Sequence, residues 1–444
     1  MASLVERYQA LIRWVEAAGG RLHPAVEIYH DEVTKGSLRV KEAGVVGLGE
    51  DIVALPLSCS LSFLNAIAGH PSIAPALPPE IPAPQAEAYF PTEFLRSVPP
   101  HVIGRFFLIR EYLRRDHSPW SPYIDTLPPP EYMTGMLPIV WPTGDIEFLR
   151  GTNAHVAVQE IRSSLKKEYK QAVKFLPATF QQEYTRPLYH WAYCIFTTRS
   201  FRPSLILPAA ESLSLPCKPD DFSILLPLFD VGNHAPLAKT AWVTDKNSRT
   251  CALRSGQPYS AKQQVYNNYG TKTNAELLLG YGFIFPERDD FHNDYVHIKT
   301  KASSAADHPN ASHLVALRPI SHTSSVTGRS RLLNPDHLSC LPCFSHFQDS
   351  LIAALHESIA QHNSEIPDVS LTEIMQGSIP QGLLDEIIGC LGAKLTMDLE
   401  EIERHDPPYE AANPNQELAL LYRAQCKKVL DNALASLSNA GSGD

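Results

Sequence analysis

The sequence predicts a mixed α+β protein, and three observations carry that prediction. Residues 24–70 and 223–299 hold short apolar runs separated by turn residues, the pattern of short strands. Residues 101–200 carry apolar side chains at helical spacing. From 345 to the end the spacing is helical again. A strand-bearing core interrupted by a helical stretch, then a helical region, accommodates all three.

Taken in order, residues 3–18 form an amphipathic helix, with Leu4, Tyr8, Leu11, Ile12 and Val15 on one face and Gly19-Gly20 stopping it. Strands follow at 26–29, 38–40 and 51–56. Nine prolines between 71 and 100 make an extended connection. Helices are predicted over 103–115, 154–176 and 179–197, the last running into Thr198-Arg199-Ser200-Phe201. Trp120, Tyr123 and Trp141 read as core aromatics. An apolar run, 224–229, ends on Asp230 and a polar turn, Gly232-Asn233-His234. Strands at 241–244 and 250–253 flank the turn pair Asn247-Ser248. A helix at 274–279 precedes Tyr281-Gly282-Phe283, which taken alone is a buried strand. A strand at 295–299 leads into a Ser/His/Asn/Pro-rich loop, and helices at 347–362 and 417–437 close the chain, with fraying over Ser436–Asp444.

Composition bounds the function. At 444 residues there is room for two or three domains. The formal net charge of −10 argues against a general nucleic-acid binder, since phosphate contact needs a basic surface. Eight scattered cysteines, with no cationic and apolar leader pattern at 1–20, lead to the expectation of free thiols in a reduced compartment, cytoplasmic and/or nuclear. No apolar stretch is long enough for a membrane span. Cys340-x-x-Cys343 with His346 lacks the second ligand pair of a structural zinc, so no metal is expected. There is no G-x-S-x-G elbow and no P-loop.

The segment from 223 to 283 carries the chemistry. Asp230-x-x-Asn233-His234, followed by Asn268-Tyr269-Gly270-x-Lys272-x-Asn274-Ala275-Glu276-Leu277-Leu278-x-x-Tyr281-Gly282-Phe283, resembles the second half of a SET domain of the Rubisco large-subunit methyltransferase family and its fungal and animal relatives. Gly49-Glu50, Leu55-Pro56, 118–123 and Thr198-Arg199-Ser200-Phe201, which stands where the family has Ser-Arg-x-Phe, resemble earlier parts of the same family. The Gly-rich turn of that family is reduced here to Lys35-Gly36-Ser37, so no cofactor contact is assigned at 36–43.

The resemblance implies a SET β core split by a helical insertion and followed by an all-helical C-terminal domain. The ranges are 1–100 for the N-terminal helix and first part of the core, 101–199 for the insertion, 200–295 for the second part with the sites, and 296–444 for substrate binding. It implies S-adenosyl-L-methionine as cofactor and protein-lysine N-methylation of a non-histone protein, a ribosomal protein or translation elongation factor. Tyr269 matches the catalytic tyrosine beside the methyl group. Arg199, Asp230, Asn233, His234, Tyr269 and Phe283 match cofactor-binding positions, and Phe201 and Tyr281 match walls of the lysine channel. A histidine-directed enzyme and a non-catalytic SET-fold binding module are the alternatives. A monomer acting on a protein, without nucleic acid or membrane, is the expected assembly.

Overall fold

The computed structural model describes residues 3–31, 35–69, 89–207, 215–245, 249–301, 310–362 and 369–438. The Asn247-Ser248 turn, the proline run as far as residue 88, the start of the Ser/His/Asn/Pro-rich loop and the last six residues lie outside them. The chain divides into two compact units, Met1–Met133 with Ser163–Gly270, and Thr134–Arg162 with Thr271–Asp444.

The first unit is built on short antiparallel strands. One sheet has the order β1 (Arg21–Leu22), β4 (Asp51–Pro56), β8 (Thr250–Ser255), β7 (Thr240–Asp245). β4 and β8 lie in the middle, and their apolar runs are buried where an edge strand would alternate. β7 is that edge and stays half-exposed. A second sheet joins β2 (Val26–Asp31), β3 (Lys35–Val40) and β9 (Gln264–Val265), and β5 (Ser200–Phe201) pairs with β6 (Ile224–Leu225). β9 therefore adds residues from late in the sequence to an early hairpin, opposite Leu38 and Arg39.

Helices pack around these sheets. Leu4–Ala17 starts on a capping box, with Ser3 accepting from the Glu6 amide and Glu6 accepting from Ser3. Its Tyr8 hydroxyl presses on Gly36 of β3, where any Cβ would collide with it. The expected helix at 179–197 is two helices, Ala178–Glu183 and Arg186–Arg199. Thr185 caps the second and Pro187 occupies its first turn, where a missing N–H costs nothing. The long apolar run at 224–229 yields only the short β6 and then a tight 3₁₀ turn, Phe229–Val231, entered through Leu228 at φ 71°.

In the second unit β10 (Tyr295–Lys301) pairs with β11 (Asn310–Ala316), so the chain leaves the predicted loop as a strand. Beyond Ala316 every element among the described residues is helical. Buried Arg423, on helix Pro414–Ser438, donates to the carbonyls of Phe148, Arg150 and Ile402 and pairs with Asp406 at 2.8 Å. Asn274 ties the Phe285 carbonyl, Asp294 and Gln425 together.

Helix Asn274–Tyr281 shows how local signals set an element. Thr273 and Glu276 form its capping box, and Gly282 ends it at φ 77°. Tyr281 is thus the last helical residue, and Tyr281-Gly282-Phe283 is a helix terminus in place of a strand. A Cβ at Gly282 would meet the Met136 carbonyl oxygen as well as an unfavourable φ. Gly282→Ala should lower stability by about 3 kcal/mol, read from the midpoint of urea unfolding; a change below about 0.5 kcal/mol would refute this account.

Burial holds the imidazoles of His292 and His297 down to about 4. Both are neutral in the fold, whereas in the unfolded chain they gain protons below their ordinary value near 6.5, so each draws stability away as pH falls from about 6.5 to about 4. His297 bridges the hydroxyls of Thr273 and Ser312 at 2.8 and 2.9 Å, which an amide can imitate. Denaturation at a series of pH values should show His297→Gln gaining on the wild type across that window.

Candidate functional site

The residues singled out in the first unit converge on one segment, 229–235. Arg199 is the last residue of its helix, and its Nη1 reaches Asp230 Oδ2 at 3.2 Å and the Asp230 carbonyl oxygen at 3.3 Å. Tyr123, read from sequence as a core aromatic, donates its hydroxyl to the same Oδ2 at 3.0 Å. Asp230 Oδ1 is buried, with no hydrogen-bond partner among the described residues. The Asp230 side chain is 1% exposed and that of Arg199 23%. Burial pushes the Asp230 carboxyl up, against the opposing pull of Arg199 and Tyr123. Burial, reinforced by Asp230, raises the Tyr123 hydroxyl well above its ordinary range, which keeps it a donor. Leu228, immediately before the turn, is fully buried in a left-handed conformation that leucine rarely adopts.

Tyr269 and His234 form a second pair. The Tyr269 hydroxyl donates to the Gly232 carbonyl at 2.9 Å, and its backbone N–H donates to His234 Nδ1 at 3.1 Å. The rings stack with centroids 4.9 Å apart and planes 10° from parallel. Because Nδ1 accepts, the neutral imidazole carries its proton on Nε2. The backbone explains this proximity: Asn267 N–H donates to Asn233 O at 2.8 Å and Ala235 N–H to Asn267 O at 3.0 Å, a parallel bridge between the two segments. Asn233 Nδ2 donates to Ser37 Oγ on β3 at 2.8 Å, and Gln264 donates to the same oxygen. The Lys35-Gly36-Ser37 stretch, expected as a turn, is instead the start of β3, and it supplies a buried hydroxyl that fixes Asn233.

Phe201 faces Phe229 at 6.3 Å and Trp242 at 5.1 Å, and Phe229 stacks on Trp242 at 5.2 Å. Arg199, Phe201, Asp230, Asn233, His234 and Tyr269 are therefore linked through one short stretch. Tyr281 and Phe283 belong to the second unit, where their rings lie 6.3 Å apart and Phe283 meets Phe285 edge-on at 5.4 Å.

Sequence reasoning missed Tyr123, Trp242 and Ser37. Tyr123 had a signal in its Ser-Pro-Trp-Ser-Pro-Tyr context, but nothing along the chain pairs it with a carboxylate 107 positions away. Trp242 is one aromatic on a strand and Ser37 one hydroxyl, and only the fold gives them neighbours. Among the described residues no group of three His, Cys, Asp or Glu side chains is placed to hold a metal, all eight cysteines are free, and no helix is long and apolar enough to cross a membrane.

No known family model matches the chain. It is similar to ribosomal lysine N-methyltransferase set10 of Schizosaccharomyces pombe, 34% identical over 49% of this chain and 36% of that protein. Protein-lysine N-methyltransferase EFM1 of Saccharomyces cerevisiae is 25% identical over 37% of this chain and 33% of its own. The actin-histidine N-methyltransferase of Drosophila melanogaster is 26% identical over 49% and 43%. The matches thus span between a third and a half of these relatives' lengths. In three dimensions the chain is similar to Rubisco LSMT bound to AdoMet, with a TM-score of 0.66 at 17% identity over 99% of this chain and 92% of that one. The SET domain of LSMT bound to lysine and AdoHcy gives 0.67 at 16% over the same shares. The chain has the SET-domain fold, and the resemblance carried by its motifs holds in both sequence and structure.

The Arg199–Asp230 pair is open to direct test. Arg199→Met leaves a buried carboxylate without its cation and should cost about 3 kcal/mol in urea unfolding, with Asp230→Asn restoring much of the loss in the double variant. Additive losses would show that the pair is not coupled.

Proposed function

We propose that this chain is an S-adenosylmethionine-dependent protein-lysine N-methyltransferase acting on a ribosomal protein or translation elongation factor, as a monomer in the cytoplasm and/or nucleus and without direct contact to nucleic acid. The observation that carries the reading is the linked constellation of Arg199, Asp230, Asn233, His234 and Tyr269 on a SET fold, together with sequence similarity to lysine methyltransferases.

The residues suit the cofactor. Among the described residues only Nη1 of Arg199 is used within the fold, so the rest of the partly exposed guanidinium is available to a carboxylate. Beside it, the orphaned Oδ1 of Asp230 offers a negative charge to a cationic ligand. Asn233 and His234 complete the set in this unit. When bound, S-adenosylmethionine supplies an electrophilic methyl group on a positively charged sulfur.

Everything else is positioning. Tyr269, with its hydroxyl tied to Gly232 and its ring stacked on His234, is held in one orientation beside the reacting atoms. Phe201, with Trp242 behind it, lines the acceptor's path. A lysine amine has an ordinary pKa of about 10.4; leaving water for an aromatic channel disfavours its charged form and yields the neutral nucleophile. The acidic and aromatic groups named here need no metal for that. Residues 296–444 act as the substrate-binding domain.

A histidine acceptor is the second reading, favoured by the similarity to an actin-histidine N-methyltransferase. Labelled methyl transfer into a lysate from cells lacking this gene separates the readings. Lysine label in one or a few bands, reduced about 100-fold or more by Tyr269→Phe with S-adenosylhomocysteine affinity kept, is the expected result. Label on histidine would move the acceptor, and cofactor binding without any transfer would leave a non-catalytic binding module.

A further inference from the structure

The second unit holds a cavity of about 420 Å³, faced by Val156, Leu279, Ile298, Ile402 and Leu430, with Cys426. Val156 is 52% exposed at its edge. Met397, 57% exposed, lies on helix Gln381–Arg404 within one turn of the lining residues Lys394, Asp398 and Glu401. Exposed apolar groups beside a concave apolar surface mark a place where another apolar group is received.

The surroundings are acidic. Residues 381–417 contain nine carboxylates against Lys394 and Arg404, which is most of the chain's formal charge of −10. Local cations are already engaged, Lys394 with Asp398 at 2.5 Å and Lys299 with Glu160 at 2.7 Å. Glu386, Glu400, Glu403, Glu410 and Glu417 are exposed, and none makes an ion pair among the described residues. Their field repels nucleic acid and acidic peptides and attracts a basic chain, while the cavity selects for a bulky apolar side chain within it.

We infer that this cavity and its acidic surround form a docking site for a basic segment of the acceptor protein, which seats one apolar side chain in the cavity and sets its lysines or arginines against Glu400, Glu403 and their neighbours. The identification of that segment with the acceptor rests on the methyltransferase reading; the binding chemistry does not. Charge brings the segment in, and the buried anchor sets how long it stays.

Fluorescence anisotropy of the full chain with a labelled peptide of alternating leucine and lysine tests the site. The peptide should bind, and replacing its leucines by serine should weaken binding about tenfold. Ala157→Trp, which fills the cavity, should do the same. Glu400→Lys with Glu403→Lys, both on the surface, should weaken binding and flatten its salt dependence; this pair serves as the test if Ala157→Trp does not fold. Equal binding by wild type and all variants, stronger binding of a leucine–glutamate peptide, or sedimentation showing that the face joins two copies of the chain would overturn the inference. In methyl transfer, Ala157→Trp should raise KM for the acceptor protein and leave kcat and S-adenosylhomocysteine affinity unchanged. Peptide binding without methyl transfer in the wild type would refute the catalytic reading alone, whereas transfer at an unchanged KM in Ala157→Trp would refute the docking site alone.

Discussion

A carboxylate removed from water has to be held from several directions, and Asp230 is. Arg199 comes to it from the end of one helix, Tyr123 from a short turn far back in the chain, and its own backbone from a 3₁₀ turn. Desolvation disfavours its charge, so each donor must stay in place for the ionised form to persist. This arrangement fixes where helix Arg186–Arg199 ends and how the chain enters 232–235. That stretch in turn carries Asn233 and His234 and takes the hydroxyl of Tyr269. The candidate site is therefore less a set of side chains than one turn pinned at its entrance.

How much of this was legible depends on the range of the interaction concerned. The central strands β4 and β8 were readable because full burial demands consecutive apolar residues. The first helix and Asn274–Tyr281 were readable through stop signals and periodicity. The break at Tyr184-Thr185 was hidden because apolar spacing continues across it, although Thr185-Arg186-Pro187 is itself a helix start. β11 was hidden because its polar opening, Asn-Ala-Ser-His, reads as a continuation of the loop until β10 lies beside it. Contacts such as Tyr123 with Asp230 or Asn233 with Ser37 join positions more than a hundred residues apart, where a single sequence has no means of coupling them.

The motif that identified the fold mixes two kinds of residue. Thr273, Glu276 and Gly282 are helix punctuation, a capping box and a left-handed terminus. Asn274 is a structural hub whose amide closes hydrogen bonds to three partners. Tyr269 is engaged in the stacked pair with His234. A pattern match weighs all of these equally, but physically only part of the string bears on chemistry and the rest places it. This is why much of the motif is legible as local structure, whatever its remaining residues do.

Leu228 adds a thermal dimension. A fully buried leucine at positive φ stores strain of about 1–3 kcal/mol, retained only while the surrounding core leaves it no alternative. The strain sits one residue from the turn that carries Asp230 and four from Gly232. Because the buried core around Leu228, Phe229 and Val231 is what holds this shape, loosening that core on heating releases the strain and the turn together.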